Sequence, residues 1–245
     1  MNIKQPVHLL FAAAVLAGCG GGGDSSSGGA GVASSSSSAP ANLSSAPGAA
    51  ALTAYVQVSH QSTLTARDTA GNSDTLQLNS APVGGTTSFN GLASVNSSIG
   101  TLTLKQNGVL LTNSITTSFF LISPFTPLGS VSSTGIPYGI VSSPVPLPAT
   151  LTVGGSGPYG TTTYYHNSTK SIVDATATST YSVSSNNATT LLVCLNTVTS
   201  GVTSQGSLDG LAAGTESDCY TNNASGTLTL LSITITVSGT TLTFL

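Results

Sequence analysis

The sequence predicts an all-β protein whose strands follow one another as an antiparallel meander. Two observations lead to this fold class. Runs rich in Thr, Val, Ile and Leu alternate apolar and polar residues with a period of two, the pattern of half-buried strands. Short turn signals separate these runs, so that neighbouring strands can pair as hairpins. We therefore expect an up-and-down barrel or flattened barrel of roughly 10–12 strands, with a β-sandwich as the alternative.

The clearest alternation occurs in three segments. Apolar residues share one parity from Leu52 to Ala66, from Val173 to Val183 and from Ile233 to Val237. The turn signals are pairs of residues that accept tight turns, at Asn107-Gly108, Gly71-Asn72, Asn186-Asn187 and Ser238-Gly239. A helical pattern is visible only over Leu208–Ala213, where Gly214 would end it.

Two longer stretches interrupt the strand pattern. Residues 123–149 contain six prolines, which are excluded from central strands, so a long loop or an edge crossing is expected there. Such a loop is either a binding segment or a flap that covers a sheet edge. The second stretch, Val198–Tyr220, is expected to be a loop.

The first eighteen residues have the features of an export signal. Lys4 and His8 precede a short apolar run over Leu9–Ala17, which is too short to span a bilayer. The run ends in Leu16-Ala17-Gly18-Cys19, which resembles the lipobox of bacterial lipoproteins. The resemblance implies cleavage before Cys19, acylation of its thiol and amino groups, and lasting membrane anchorage. Gly20 after the cysteine favours the outer membrane, with a periplasmic or surface location left open.

The sequence therefore divides into three parts. Residues 1–18 are the predicted lipoprotein signal peptide, and residues 19–50 are a predicted disordered tether of Gly, Ser, Ala and Pro. Residues 51–245 are expected to form a single all-β domain. The tether is either a bare spacer or a site of O-glycosylation.

Charged residues are scarce, at 4% of the chain, and this excludes several partners. Four basic residues cannot neutralise a nucleic-acid backbone, so no nucleic-acid partner is expected. After the predicted cleavage only Arg67, Lys105 and Lys170 are cationic. Exposed edge strands commonly carry lysine or proline, which prevent pairing with another chain, and three cations can protect few edges in this way. We therefore expect the edges to be closed into a barrel, covered by the Pro-rich segment, or paired with another copy.

Cys194 and Cys219 are the only cysteines after Cys19. Exported proteins fold in an oxidising compartment, so the sequence predicts a disulfide between them. Their separation lacks the Cys-x-x-Cys spacing of redox sites.

Chemical motifs for catalysis, metal binding and cofactor binding are weak. Residues 155–160 fit G-x-G-x-x-G, but the following threonines and tyrosines predict a strand where a dinucleotide site needs a helix. His60 has inward parity, so we expect a core histidine paired to a backbone carbonyl or placed at a bulge. His166 is expected at a turn or strand end. Glu216-Ser217-Asp218 could hold a cation but lacks the spacing of a calcium loop. We expect no catalytic residues, metal or cofactor.

These observations predict a lipid-anchored cell-envelope protein with a non-catalytic structural or surface-interaction role. One alternative is a β-barrel that carries a small apolar ligand or lipid. Another is an integral outer-membrane barrel, because Ser238–Phe244 resembles the terminal strand signal of such barrels. The sequence does not indicate which ligand or envelope partner is bound, or the oligomeric state.

Overall fold

The computed structural model describes residues 42–245, which form a nearly closed antiparallel barrel. The strands are β1 (Ser45–Pro47), β2 (His60–Arg67), β3 (Ser73–Phe89), β4 (Leu92–Gln106), β5 (Val109–Ile122), β6 (Phe125–Ser132), β7 (Tyr138–Val141), β8 (Thr150–Thr152), β9 (Ser156–Tyr165), β10 (Val173–Ser185), β11 (Thr190–Ser200), β12 (Gly214–Asn223), β13 (Leu228–Val237) and β14 (Thr240–Phe244). The helices are α1 (Ala49–Tyr55) and α2 (Ser204–Leu208). Twelve strands form one sheet in nearly sequential order, while β1 pairs with β8. The predicted all-β meander is confirmed.

The first and last strands of the large sheet meet. Thr65 in β2 and Leu245, just after β14, exchange both main-chain hydrogen bonds, with N–O distances of 2.8 and 2.9 Å. This contact gives partners to two edges that would otherwise present unpaired donors and acceptors. The sheet is therefore nearly closed, and the expected closure is confirmed at this residue pair.

Helix α1 packs one face against the interior of the barrel, while Ala50 and Ala54 on its other face are exposed. Its residues Leu52 and Tyr55 belong to one buried cluster with inward side chains of strands from β2 round to β14, among them Leu76, Phe120 and Phe244. Neither helix in the described part of the chain has the length and apolar character needed to cross a membrane.

The alternation that begins at Leu52 predicted a strand, and for these first residues the prediction is wrong. The buried positions Ala51, Leu52 and Tyr55 follow helical spacing, and alanines at positions 49–51 favour a helix. Residues 45–50, which the predicted boundary placed in the tether, form β1 and the start of α1. The predicted parity holds from Leu64, where β2 alternates buried and exposed residues.

The Pro-rich residues 123–149 are not one long loop, because they contain β6 and β7. Pro127 lies in β6 beside a register shift against β5, where a strand tolerates a residue without an N–H donor. Residues 142–149 do form a connection that covers the barrel, with Leu147 buried in the core. The carbonyls of Pro148 and Ala149 accept hydrogen bonds from the main chain at the start of α1.

The stretch Val198–Tyr220 is also more regular than predicted. β11 continues to Ser200, and β12 begins at Gly214, so only about a dozen residues lie between them. The helix in this connection, α2, ends where the helical pattern from Leu208 was expected to begin. Thr203 caps α2, because its hydroxyl accepts a hydrogen bond from the Gly206 amide at 3.0 Å.

The outer face of the barrel carries hydroxyl groups on several neighbouring strands. Thr234 on β13 contacts Thr243 on β14 through their hydroxyls at 3.1 Å, and Thr236 contacts Thr241 at 2.8 Å. Outward positions of β10 are likewise serine and threonine. The outer face of these strands is therefore kept polar by neutral groups, whereas β4 and β5 expose apolar side chains such as Ile99, Leu110 and Ile115.

Candidate functional site

Two acidic side chains point into the barrel from β12. Glu216 and Asp218 are two residues apart on one strand, so both face inward, and both are buried, with 5% and 2% exposure. We call them the acid pair. Apart from a proton shared within the pair, both oxygens of Glu216 and one of Asp218 meet no hydrogen-bond donor among residues 42–245. A cation or a proton is therefore needed to balance this pair.

Burial strongly raises the pKa of both members of the acid pair. It raises the pKa of Asp218 to about 7, against the opposing effect of a hydrogen bond with Glu216. Burial also raises the pKa of Glu216 well above its usual value, and the charge of Asp218 adds to this shift. Two carboxyl groups in contact behave as one titrating unit that retains a proton at neutral pH.

Aromatic groups surround the acid pair. Tyr220, on the same face of β12, packs edge-on against Tyr55 of α1, with ring centroids 5.8 Å apart. The pKa of Tyr220 is raised well above its usual value, first by burial and then by the charge of Asp218. Tyr159 and Tyr164 of β9 are also buried, and burial raises the pKa of each. No basic side chain among the described residues pairs with the acids.

His60 fixes α1 to the wall of the barrel. Its Nε2 donates a hydrogen bond to the Tyr55 carbonyl at 2.7 Å, and its ring stacks on the Tyr55 ring with centroids 3.8 Å apart. The prediction of an inward histidine paired to a backbone carbonyl is confirmed.

A second cluster lies at the strand ends where β9 leads into β10. It consists of His166, Asp174 and Asp209, and we call it the His166 cluster. One possible ligand atom from each residue lies within 4.8 Å of the others. His166 Nδ1 is 2.6 Å from Asp209 Oδ2, and Gln205 Nε2 donates to Asp209 Oδ1 at 2.9 Å.

Local structure brings these three residues together. A register shift between Val173 and Ala175 turns Asp174 out of the regular alternation and buries it completely. Gly206 packs α2 directly on the main chain of Asp174, where a side chain would collide with the Asp174 carbonyl. The Thr203 amide also donates to this carbonyl at 2.8 Å. These contacts place Asp209, just after α2, beside Asp174.

The two carboxyl groups of the His166 cluster differ in their environments. Burial raises the pKa of Asp174 to about 6, and Asp209 contributes to the shift. For Asp209, burial opposes ionisation, but hydrogen bonds from His166 and Gln205 outweigh it and lower the pKa. Apart from a proton shared with the Asp209 carboxyl, neither oxygen of Asp174 has a hydrogen-bond donor within the described residues.

The sequence analysis missed this cluster. Its members are spread over 44 residues, and no linear motif connects them. One signal was available: His166 follows the predicted strand over residues 161–165, and Asp174 starts the next, so a hairpin would bring both to one end. The bulge at Asp174 and the docking of α2 leave no pattern in the sequence.

The remaining predicted site residues have clear positions where the structure describes them. Cys194 on β11 and Cys219 on β12 are directly paired and form the predicted disulfide. Cys219 lies in a strand rather than at the end of a loop. All but the first residue of the glycine motif lie in β9 itself, and the threonines that follow continue this strand as predicted. Ser217 faces away from the acid pair and donates to Asn196 at 2.8 Å. Cys19, the signal and most of the tether lie outside the described residues.

No protein-family model, curated protein or solved structure matches this chain. The site therefore has to be interpreted from its own geometry.

Proposed function

We propose that this chain is a lipid-anchored outer-membrane protein whose barrel has a non-catalytic structural or surface-interaction role. The observation that carries this proposal is the occupied interior of the barrel. The buried face of α1 packs into it, with Leu52 1% exposed and Tyr55 4% exposed. When side chains fill the interior, the outer face and the ends of the barrel are left for contact with partners.

The composition of the surface favours a partner of low charge. Four of the six acidic residues in the described part are buried: Asp74, Asp174, Glu216 and Asp218. Three basic residues, Arg67, Lys105 and Lys170, complete the charged groups of this part. Such a surface offers little electrostatic attraction, so contacts through hydroxyl groups and shape would dominate. A neutral envelope component fits this chemistry.

The anchor rests on the lipobox-like residues that end in Cys19. We expect Cys19→Ala to move the protein from the membrane fraction to the soluble fraction, measured by fractionation and immunoblotting. The matched control is the double variant Cys194→Ala with Cys219→Ala, which removes the disulfide and should stay with the membranes. Retention of the Cys19→Ala protein in the membranes would contradict the anchor.

A second candidate function is the transport or storage of a small apolar ligand. The barrel itself favours it, because closed barrels of moderate size hold ligands in other proteins. Here a ligand would have to displace α1 and lie near the acid pair. Native mass spectrometry of the purified protein distinguishes the two functions. The interaction module should give the mass of the chain alone, whereas a carrier should give an added lipid mass.

An integral outer-membrane barrel is less consistent with the outer face of β13 and β14. A membrane barrel turns an apolar band toward the lipid. Here β13 and β14 turn threonine hydroxyls outward, paired as Thr234–Thr243 and Thr236–Thr241. Heat-modifiable mobility on gels of unboiled samples would favour the integral barrel, and its absence would favour the anchored domain.

A further inference from the structure

We propose that the His166 cluster binds one divalent transition-metal ion through His166 and the carboxylates of Asp174 and Asp209. The site is independent of the acid pair and of the proposed lipid anchor. It would be a structural or regulatory metal site at one end of the barrel.

The first support is the state of Asp174. This side chain is fully buried, and apart from a proton shared with the Asp209 carboxyl, neither of its oxygens meets a hydrogen-bond donor in the described part of the chain. Its main-chain carbonyl is already occupied by the Thr203 amide. A buried carboxylate without donors is costly, and a bound cation is one of the few ways to stabilise it.

The second support is the spacing of the three ligands. Their atoms lie within 4.8 Å of one another. Neighbouring ligand atoms of a tetrahedral zinc ion are about 3.4 Å apart, because each metal–ligand bond is about 2.1 Å long, so the separations here have to change by about 1 Å. Small side-chain adjustments therefore suffice. The ion would take the place of the proton between His166 Nδ1 and Asp209 Oδ2, which are 2.6 Å apart, and this proton would leave to solvent.

The third support is a residue that positions a ligand. Gln205 Nε2 donates to Asp209 Oδ1 at 2.9 Å, so it leaves Oδ2 directed at His166. Metal-binding carboxylates commonly receive such a hydrogen bond from a neighbouring group. Gln205 and Asp209 are four residues apart across α2, so the helix holds both in one orientation.

The ligand chemistry selects the class of metal. One imidazole nitrogen with two carboxylates suits zinc, manganese, iron, cobalt or nickel, whereas calcium and magnesium prefer oxygen ligands alone. The His166 side chain is 28% exposed, so an ion can reach the site from solvent. Because the protein would supply three ligands, the remaining coordination positions of the ion would be open for water.

Metal binding can be measured on the purified protein after treatment with a chelator and without a polyhistidine tag. We expect one Zn²⁺ per chain by equilibrium dialysis, and an absorption band of ligated Co²⁺ on titration. Asp174→Asn and His166→Gln should abolish the tight site. Gln205→Ala should weaken binding by about 10–100-fold, as expected for a group that orients a ligand.

The matched control is Asp68→Asn, which changes an acid in the turn between β2 and β3 and should leave zinc binding unchanged. Melting temperatures in chelator show whether each variant is folded. Failure of the wild-type protein to bind Zn²⁺ or Co²⁺ would overturn the proposal, as would unaltered binding by folded Asp174→Asn. Displacement of Zn²⁺ by equimolar Ca²⁺ would contradict a role for the His166 nitrogen.

Discussion

Two acidic residues are buried inside this barrel, where their ionised forms are unfavourable, although the sequence contains few charged residues. Glu216 and Asp218 lie side by side in the interior without a basic partner among the described residues. They are compatible with the fold because burial raises the pKa of each and keeps a proton on the pair. The fold is therefore stabilised by protonation of groups that are ionised at neutral pH in the unfolded chain.

The stability of the protein should fall as the pH rises. The pKa of Asp218 is raised from 3.8 to about 7, so the folded state holds more protons between about pH 4 and pH 7. One extra bound proton corresponds to a loss of about 1.4 kcal/mol in the free energy of unfolding per pH unit of increase. Urea denaturation at a series of pH values measures this fall. The groups that face the pair are Tyr55, Tyr159, Tyr164 and Tyr220, which stay neutral in this range.

Neutral replacements of the acid pair test the cause. Glu216→Gln combined with Asp218→Asn should reduce the fall between pH 4 and pH 7, leaving the part due to Asp174, whose pKa is raised to about 6, and should leave the protein more stable than wild type at pH 8. Asp68→Asn is the control, because the pKa of Asp68 is lowered by hydrogen bonds from Asn72. That variant should keep the fall. An unchanged pH profile in the double variant would show that other groups are responsible.

For single residues, the sequence predicted the structure correctly where the residue type itself favours a particular backbone conformation or side of a strand. Asn107 and Gly108 have φ values of 49° and 80°, as their turn signal predicted. The inward parity of His60 was also sufficient to anticipate its carbonyl partner. The buried state of Asp174 was not predictable, because a bulge reverses the side to which strand parity assigns it.

Among the elements, α1 has an unusual position as a helix within a barrel. Leu52→Ala should lower the free energy of unfolding by about 2–5 kcal/mol, because Leu52 is buried in the core. Leu208→Ala in α2 is the matched control. Leu208 is 81% exposed, so its truncation should change stability by less than about 0.5 kcal/mol. Equal effects of the two variants in urea denaturation would show that α1 does not pack as described.

The disulfide also connects elements, because it joins β11 to β12 and closes a segment of 25 residues that contains α2. On the chain-entropy model such a closure contributes about 3–4 kcal/mol. We expect Cys194→Ala with Cys219→Ala to lose about this amount in urea denaturation. Wild type measured with a reducing agent should match the variant. Stability independent of reduction would indicate that strand pairing alone holds this segment.

Two elements, α1 and β6, were predicted incorrectly for the same physical reason. The apolar residues from Leu52 onward have the parity of a strand, but Ala51, Leu52 and Tyr55 are buried with helical spacing against the core of the barrel. In β6, Pro127 falls where the ladder is already irregular, so a residue that argues against a strand is accommodated. In both cases the deciding contact is with a part of the chain far away in sequence.

For the whole molecule, burial of acids changes the net charge. The composition gives an isoelectric point of about 5.3. Burial raises the pKa of Asp74, Asp174, Glu216 and Asp218, so the folded protein carries less negative charge near neutrality. We expect native isoelectric focusing to give a higher isoelectric point than focusing of the same protein in urea. Identical values would mean that these acids ionise normally in the fold.

The architecture as a whole was largely predictable. Period-two alternation and turn signals were enough for an antiparallel meander, and the shortage of cations correctly argued for closed edges. Closure between Thr65 and Leu245 joins the two ends of the domain, a contact that no local pattern specifies. The His166 cluster was not predictable for a similar reason, because it depends on how α2 docks on β10.

The position of β1 also has a mechanical consequence. The chain passes from residue 42 through β1 directly into α1, so tension on the N-terminal segment reaches these two elements first. It would be resisted by the ladder between β1 and β8 and by the Asn222 amide, which donates to the Pro47 carbonyl at 2.7 Å. The twelve-stranded wall would bear the load only afterwards. Pulling on the N-terminal side of the domain should thus detach β1 and α1 before the twelve-stranded sheet unfolds.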